Sequence, residues 1–439
     1  MRNWILLMMS LFFFQGNSIA QNEGDAFLTL LEKGKAAFEN EDYDTCTSCY
    51  KKAEKYQPQN AWLKYAAARC YDLQKKNKKT HQNLIKAVQL DWEDVEDWLA
   101  NSESDFKNLK KKKRCWKKVQ KEIKTQQKGM NLALREELIQ MGKADQKYRM
   151  EIQEQSKKGN ANSPVVKELW KKQLAIDAKN LKRSEEIITE YGFPPKKLVG
   201  KKAAKSIFQI IQHAELRYQQ KYIPLFHKAV KNGDLDMKIL ALMLDRVENR
   251  KGRPQIYGTQ IEENQKTGKL AFTPIVDERK VNKRRAHIGL PTIESYAEQF
   301  DIEYKYEKQK YDKADFKKFS GGWDLVNIRD AETFEITFLP EQNFWVEFLA
   351  QGKLRFNRTV NICEMKYQAT DRGRLVFTPS LDCTKKCCDD EKVNQALIYH
   401  DVIEFELYYN SLFLIDTRGG LWEFKRKKYE KTRIDKEDN

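Results

Sequence analysis

Asp145 and Arg149 stand four residues apart, which places a carboxylate and a guanidinium on one face of a helix. His213 follows Ile210 and Ile211, and Asp245-Arg246 follow the apolar run 239–244. Further along come Tyr257 and Gln260 within Gln255-Ile256-Tyr257-Gly258-Thr259-Gln260, then Asp277, then Arg284-Arg285. If these side chains converge, His213 has the chemistry of a general base oriented by a carboxylate. The arginines then suit a carboxylate or phosphate group. On that reading the catalytic candidates are His213, Asp245, Arg246, Asp277, Arg284 and Arg285, with Tyr257, Gln260, Asp145 and Arg149 as binding candidates. The same residue types also build buried Asp–Arg networks that fix helix packing. No nucleophile, glycine-rich phosphate loop or metal-ligand spacing accompanies the set, so the packing network is the preferred reading. No cofactor and no metal are expected.

Other reactive residues carry less. His81, His227, His287 and His400 are isolated in the sequence, and Gly321-Gly322 is a lone pair before a strand-like run. Cys46-x-x-Cys49 has redox spacing but no strand–helix–strand context. Cys383, Cys387 and Cys388 with Cys363 lack the second Cys-x-x-Cys of a zinc site.

The residues before these elements set the compartment. Arg2 precedes an apolar run from Ile5 to Phe14 interrupted by Ser10, and Ser18-Ile19-Ala20 is a small-x-small exit. This pattern predicts a secretory signal over residues 1–20. The run is too short to span a bilayer, which takes ~20 residues. No cysteine near the exit supports a lipid anchor, so a periplasmic or secreted, non-lipidated protein that does not span the membrane is expected. Export makes structural disulfides the preferred fate of the cysteines.

The chain has 439 residues and a net charge of +17, with the basic excess concentrated in the middle. An exported protein meets little nucleic acid, so no nucleic-acid partner is expected; acidic envelope surfaces are the attraction such charge implies. In 105–128 the apolar residues Phe106, Leu109, Trp116, Val119 and Ile123 keep helical spacing, which makes the surrounding lysines a solvated helix face before a binding patch.

The spacing predicts a multidomain chain of helical and β parts. Over 21–128, Gly34, Tyr43, Cys46, Tyr50, Ala53 and Pro58 recur with a ~34-residue period, Ala68, Leu84 and Ala87 matching in the second copy. Residues 129–300 read as mostly helical, with one helix closing at Tyr191-Gly192, another running from Lys201 to His227, a further one over Leu235–Val247, and a hairpin between Gln255 and Val276. Residues 301–319 read as a linker and 427–439 as a charged tail. Between them, 320–426 is a series of short aromatic and β-branched runs, the pattern of a small antiparallel barrel or sandwich.

Three resemblances attach to these blocks. The N-terminal repeat resembles tetratricopeptide repeats, which implies a concave surface for a protein partner. That packing also implies a bond from Cys70 to Cys46 or Cys49. The Asp145, His213, Asp245-Arg246, Tyr257–Gln260, Asp277, Arg284-Arg285 and Gly289-Leu290 motifs resemble a bacterial domain of unknown function, which implies no activity. Gly321-Gly322-Trp323-Asp324-Leu325-Val326, Asn361-Ile362-Cys363 to Tyr367, and the 412–424 hairpin resemble the META (HslJ-like) domain of exported proteins, although Met365 stands where glycine is usual. That resemblance implies a disulfide from Cys363 to Cys383, Cys387 or Cys388. The function expected is binding or scaffolding at the cell envelope; the alternative is an exported enzyme, such as a hydrolase, with its site in the central helical region. N-terminal sequencing of protein recovered from the envelope is expected to start near Gln21, and an intact Met1 would overturn the export reading.

Overall fold

The computed structural model describes residues 21–427 apart from 103–104, 161–162, 264–267, 307–317, 319, 339–343, 350–351, 359–360, 372, 385–401, 409 and 417–419. The chain forms two compact units that meet in sequence between Asp236 and Met237.

The first unit is helical: α1 (Gln21–Glu39), α2 (Tyr43–Ala53), α3 (Ala61–Leu73), α4 (Asn77–Asn101), α5 (Lys107–Lys111), α6 (Lys113–Gln126), α7 (Leu132–Lys157), α8 (Pro164–Tyr191), α9 (Lys196–Val199), α10 (Lys201–His213) and α11 (Leu216–Lys231). The helix starts follow from short polar side chains. Asp42, Asn60, Asn131 and Ser163 each accept a hydrogen bond from a first-turn N–H, and Pro164 sits where its missing N–H costs nothing. Gly34 lets α1 and α2 approach: a Cβ there would lie 2.9 Å from the Tyr50 ring. Phe27, Tyr50, Leu63 and Cys70 bury one core, and Tyr65, Leu84, Val95, Phe106 and Val119 the next. Cys46 is bonded to Cys70, tying α2 to α3.

Two helical stretches are interrupted, the second of them where periodicity predicts continuity. α4 kinks at Asp91, whose φ of −157° is extended and whose carboxylate accepts from Asp94 N. The helix expected from Lys201 to His227 stops at His213, because Ala214 and Glu215 are extended before α11 starts. Gln219 then donates to the Gln212 carbonyl in the last turn of α10.

The second unit begins with α12 (Met237–Arg250), the hairpin β1 (Ile261–Glu263) and β2 (Leu270–Phe272), a single turn over Glu278–Lys280, α13 (Val281–His287) and α14 (Ile293–Glu298). Nine strands follow: β3 (Gly321–Asp330), β4 (Ile336–Phe338), β5 (Trp345–Leu349), β6 (Lys353–Arg358), β7 (Asn361–Ala369), β8 (Arg374–Cys383), β9 (Val402–Tyr408), β10 (Ser411–Ile415) and β11 (Gly420–Arg426). Each pairs antiparallel with its neighbour, β11 closes on β3, and β4 extends the end of β3, so the ring has eight strands. Alternation drives closure. Trp323 and Leu325, Val346 and Phe348, Leu354 and Phe356, Leu375 and Phe377, Ile403 and Phe405, Leu412 and Leu414, and Trp422 and Phe424 all point inward and fill the interior. The barrel or sandwich expected from sequence is therefore a closed barrel. Its Thr417–Gly419 turn lies outside the described residues, as do Cys387 and Cys388.

Cys363 and Cys383 face each other across β7 and β8 and are bonded. Their separation of 20 residues corresponds to about 3 kcal/mol in the chain-entropy model. Replacing both by alanine is expected to lower the second unit's stability by about that amount. A denaturation midpoint that does not move would show that the bond adds nothing.

Candidate functional site

In the first unit the candidate residues gather where α7, α8 and α10 meet. Asp145 and Arg149 lie one turn apart on α7, both buried. His213, the last residue of α10, brings Nδ1 to 2.8 Å from Asp145 Oδ2 and 3.1 Å from Oδ1. Gln146 donates to Oδ2 at 2.7 Å. Arg149 turns to α8, with Nη2 2.7 Å from both oxygens of Asp177, while its Nε donates to the Asp145 carbonyl. Gln173 ties the same carbonyl to Asp177 Oδ1.

Burial pushes the Asp145 carboxyl upward, but the His213 hydrogen bond and charge, with the Arg149 charge, outweigh it and hold the group below its ordinary value. Asp177 goes the other way: burial and the nearby Asp145 raise it against Arg149 and Gln173. An imidazole whose Nδ1 is held by an ionised carboxylate has the arrangement of an oriented base. Beside it, Gly142, Gln146, Met150, Lys202, Ser206 and Gln209 line a hollow of about 340 Å³ between α7 and α10.

Asp177 and Gln173 were not among the sequence candidates. A signal for them exists. The buried stripe of α8 runs Val166, Leu169, Gln173, Asn180, Ser184, Ile187, so polar residues occupy core positions of an otherwise regular helix. Glu93 was missed as well. It is buried, accepts from the N–H groups of Lys201 and Lys202, and so caps α10, with Arg135 Nη2 3.3 Å away.

In the second unit the candidates form a different structure. The Asp245 carboxylate is fully buried and receives Ile256 N at 2.7 Å, Tyr257 N at 3.0 Å, and Thr259 N and Oγ1 both at 2.9 Å. Burial raises its pKa against those four donors. The opposite side of the same loop is held by arginines. Arg284 donates to the carbonyls of Ile256 at 2.8 Å, Ala331 at 3.0 Å and Asp277 at 3.1 Å, and also to Val276. Arg285 donates to Tyr257 at 2.7 Å, Gly258 at 3.1 Å and Pro291 at 2.6 Å, and lies over the Tyr296 ring. Burial pushes Arg285 down to about 10. The loop thus sends the N–H groups of Ile256, Tyr257 and Thr259 to a carboxylate and the carbonyls of Ile256, Tyr257 and Gly258 to guanidinium groups.

Gly258 is required at the turn: its φ is +68°, and a Cβ would come within 2.6 Å of Ile293 Cδ1. Gln255 reinforces it, accepting from Gln260 N and donating to Gln260 O. Arg246 Nε reaches Gln260 Oε1 at 3.4 Å. Tyr257 is buried against Ala241 and Ile256. Asp277 is buried too; it pairs with Arg279, and its N–H donates to Glu406 on the barrel strand β9, whose carboxyl burial pushes up to about 7. The ten sequence candidates therefore divide into Asp145, Arg149 and His213 in one unit and the other seven in the other.

The class these features define is a helical domain of unknown function joined to a β barrel. Residues 132–308 match the model of a family of unknown function, DUF6624. The match starts at the first residue of α7, runs across the boundary between the units and ends after α14. No curated protein and no solved structure matches the chain.

Arg285→Met removes three donors from buried carbonyls, and Asp245→Asn points an amide N–H at backbone N–H groups. Breaking a buried charged partner costs ~3–5 kcal/mol, and an unsatisfied buried donor ~1–3 kcal/mol. Both variants are expected to lower the melting temperature of the full chain; unchanged or raised midpoints for both would refute the packing role.

Proposed function

We propose that this is an exported cell-envelope protein whose role is binding or scaffolding. In this reading residues 21–128 are a tetratricopeptide-like repeat that receives a protein partner, and residues 320–426 are a META-like barrel. The observation that carries it is how the charged groups of the second unit are used. Asp245, Arg284 and Arg285 are buried and hold backbone, which leaves them no reacting group to act on. Two bonded cysteine pairs fit an oxidising compartment. Among the described residues no helix is long and apolar enough to cross a membrane.

One observation favours the second reading, an exported enzyme such as a hydrolase: the 2.8 Å contact between His213 Nδ1 and Asp145. The two readings part on stability. Asp145 has a depressed folded pKa, so its charge adds stability above the ordinary carboxyl value near ~4 and loses it as pH falls through the folded one. If the cluster is structural, Asp145→Asn lowers the melting temperature at pH 7 and flattens the loss of stability in acid. A site held ready for catalysis tolerates the change or gains stability. On the repeat, Trp62 and Leu73 are exposed apolar side chains. Cross-linking in the envelope is expected to trap a protein that Trp62→Ala with Leu73→Ala loses and Asp145→Asn keeps. A destabilised Asp145→Asn protein with such a partner supports scaffolding; a stable one without a partner overturns it.

A further inference from the structure

We propose that the exposed face of α6 is a docking surface for an anionic phospholipid bilayer. The inference rests on the export reading for the choice of polyanion. Lys113, Arg114, Lys117, Lys118, Lys121 and Lys124 are all exposed. At ~100° per residue they fall in an arc of about 140°. The opposite side, Trp116, Val119 and Ile123, packs into the helical core of the first unit. The helix is therefore fixed to the protein by its apolar face and presents its cations outward.

These charges do not serve the fold. Among the described residues, none of the six forms an ion pair. Apart from Glu122, four residues after Lys118, their charged neighbours one turn away on the helix are one another: Lys113 with Lys117, Arg114 with Lys118, Lys117 with Lys121, Lys121 with Lys124. Like charges at these spacings destabilise a helix. Lys113 and Arg114 also occupy the first turn, where the helix dipole disfavours cations. Glu122 is the single acid of the helix, and it faces Gln89 and Gln126 instead of the lysines. Lys201 and Lys202 of the same unit, by contrast, meet Asp91, Asp94 and Asp97. A self-repulsive cationic face without internal counter-charges is complementary to an external anion.

A fourteen-residue helix is ~21 Å long and offers its cations along one broad face. That shape suits a planar array of phosphate headgroups, for which clusters of ~4–8 lysines and arginines are sufficient. With the apolar face already buried, binding is peripheral and electrostatic, without insertion.

The test uses the processed chain beginning near Gln21 and two sets of vesicles, phosphatidylcholine alone and phosphatidylcholine with about one third phosphatidylglycerol. Co-sedimentation is expected with the anionic vesicles only, weakened at least ~tenfold in half-molar salt by screening. The K117E/K121E/K124E protein is expected to lose binding with its melting temperature retained, and the corresponding arginine triple to keep it. If charge reversal impairs folding, the glutamine triple takes its place. Equal binding to neutral vesicles, retained binding by the folded reversal or glutamine variant, or capture of duplex DNA without anionic vesicles would each overturn the proposal. Absence of vesicle binding by a chain cleaved near Ala20 overturns this surface alone, whereas an uncleaved cytoplasmic chain that binds the vesicles overturns export alone.

Discussion

A guanidinium or carboxylate buried without partners is too costly for a folded protein to carry, and the second unit is organised around meeting that condition. Arg284 has no exposed surface, and its donors are satisfied by carbonyls of Ile256, Val276, Asp277 and Ala331. Those carbonyls belong to the loop after α12, the segment after β2, and the turn after β3. One side chain thereby joins three stretches of backbone. Asp245 supplies the complementary charge to the N–H groups of the same loop. The conformation of residues 256–259 follows from being held on both edges, with glycine at the one position whose φ demands it.

The barrel depends on the same junction from its other side. Side chains on its outer face, Phe413, Ile415 and Leu421, pack with Val276 and Ala331. Glu423 on β11 accepts from Asn327 and pairs with Arg253. The inner face is apolar, and the outer face where the helical segment covers it combines these apolar side chains with the hydrogen-bonded Glu406 and Glu423. Glu406 sits at this contact and accepts the Asp277 N–H, so a carboxyl with a raised pKa lies where barrel and helical segment touch.

The first unit meets the same condition with helices. Asp145, Arg149, Asp177, Gln173 and His213 are hydrogen-bonded to one another across α7, α8 and α10, and Asn180 donates to the Met141 carbonyl in the same interface. Glu93 satisfies the first N–H groups of α10, which connects α4 to the helix that carries His213. A polar interface of this kind constrains how the helices register more than an apolar one does, because hydrogen bonds are directional.

Sequence alone determined what local periodicity controls. The alternation through Phe344–Phe348, Val402–Leu407 and Leu421–Phe424 requires a sheet with one apolar face, and the 3.6-residue stripes of α6 and α8 require helices; both formed. The bond between Cys363 and Cys383 is one of the pairings that the barrel resemblance implied. Tertiary structure decided the rest. The break at Ala214 is invisible to periodicity, since apolar spacing continues through it; the break is supported by Gln219 capping Gln212. Asp245 reads as a candidate acid in the sequence and becomes a backbone anchor only once residues 256–259 fold back onto it. Periodicity is a property of neighbouring residues, whereas whether a charged group reacts or supports depends on which distant backbone groups reach it. Only the folded chain sets those distances.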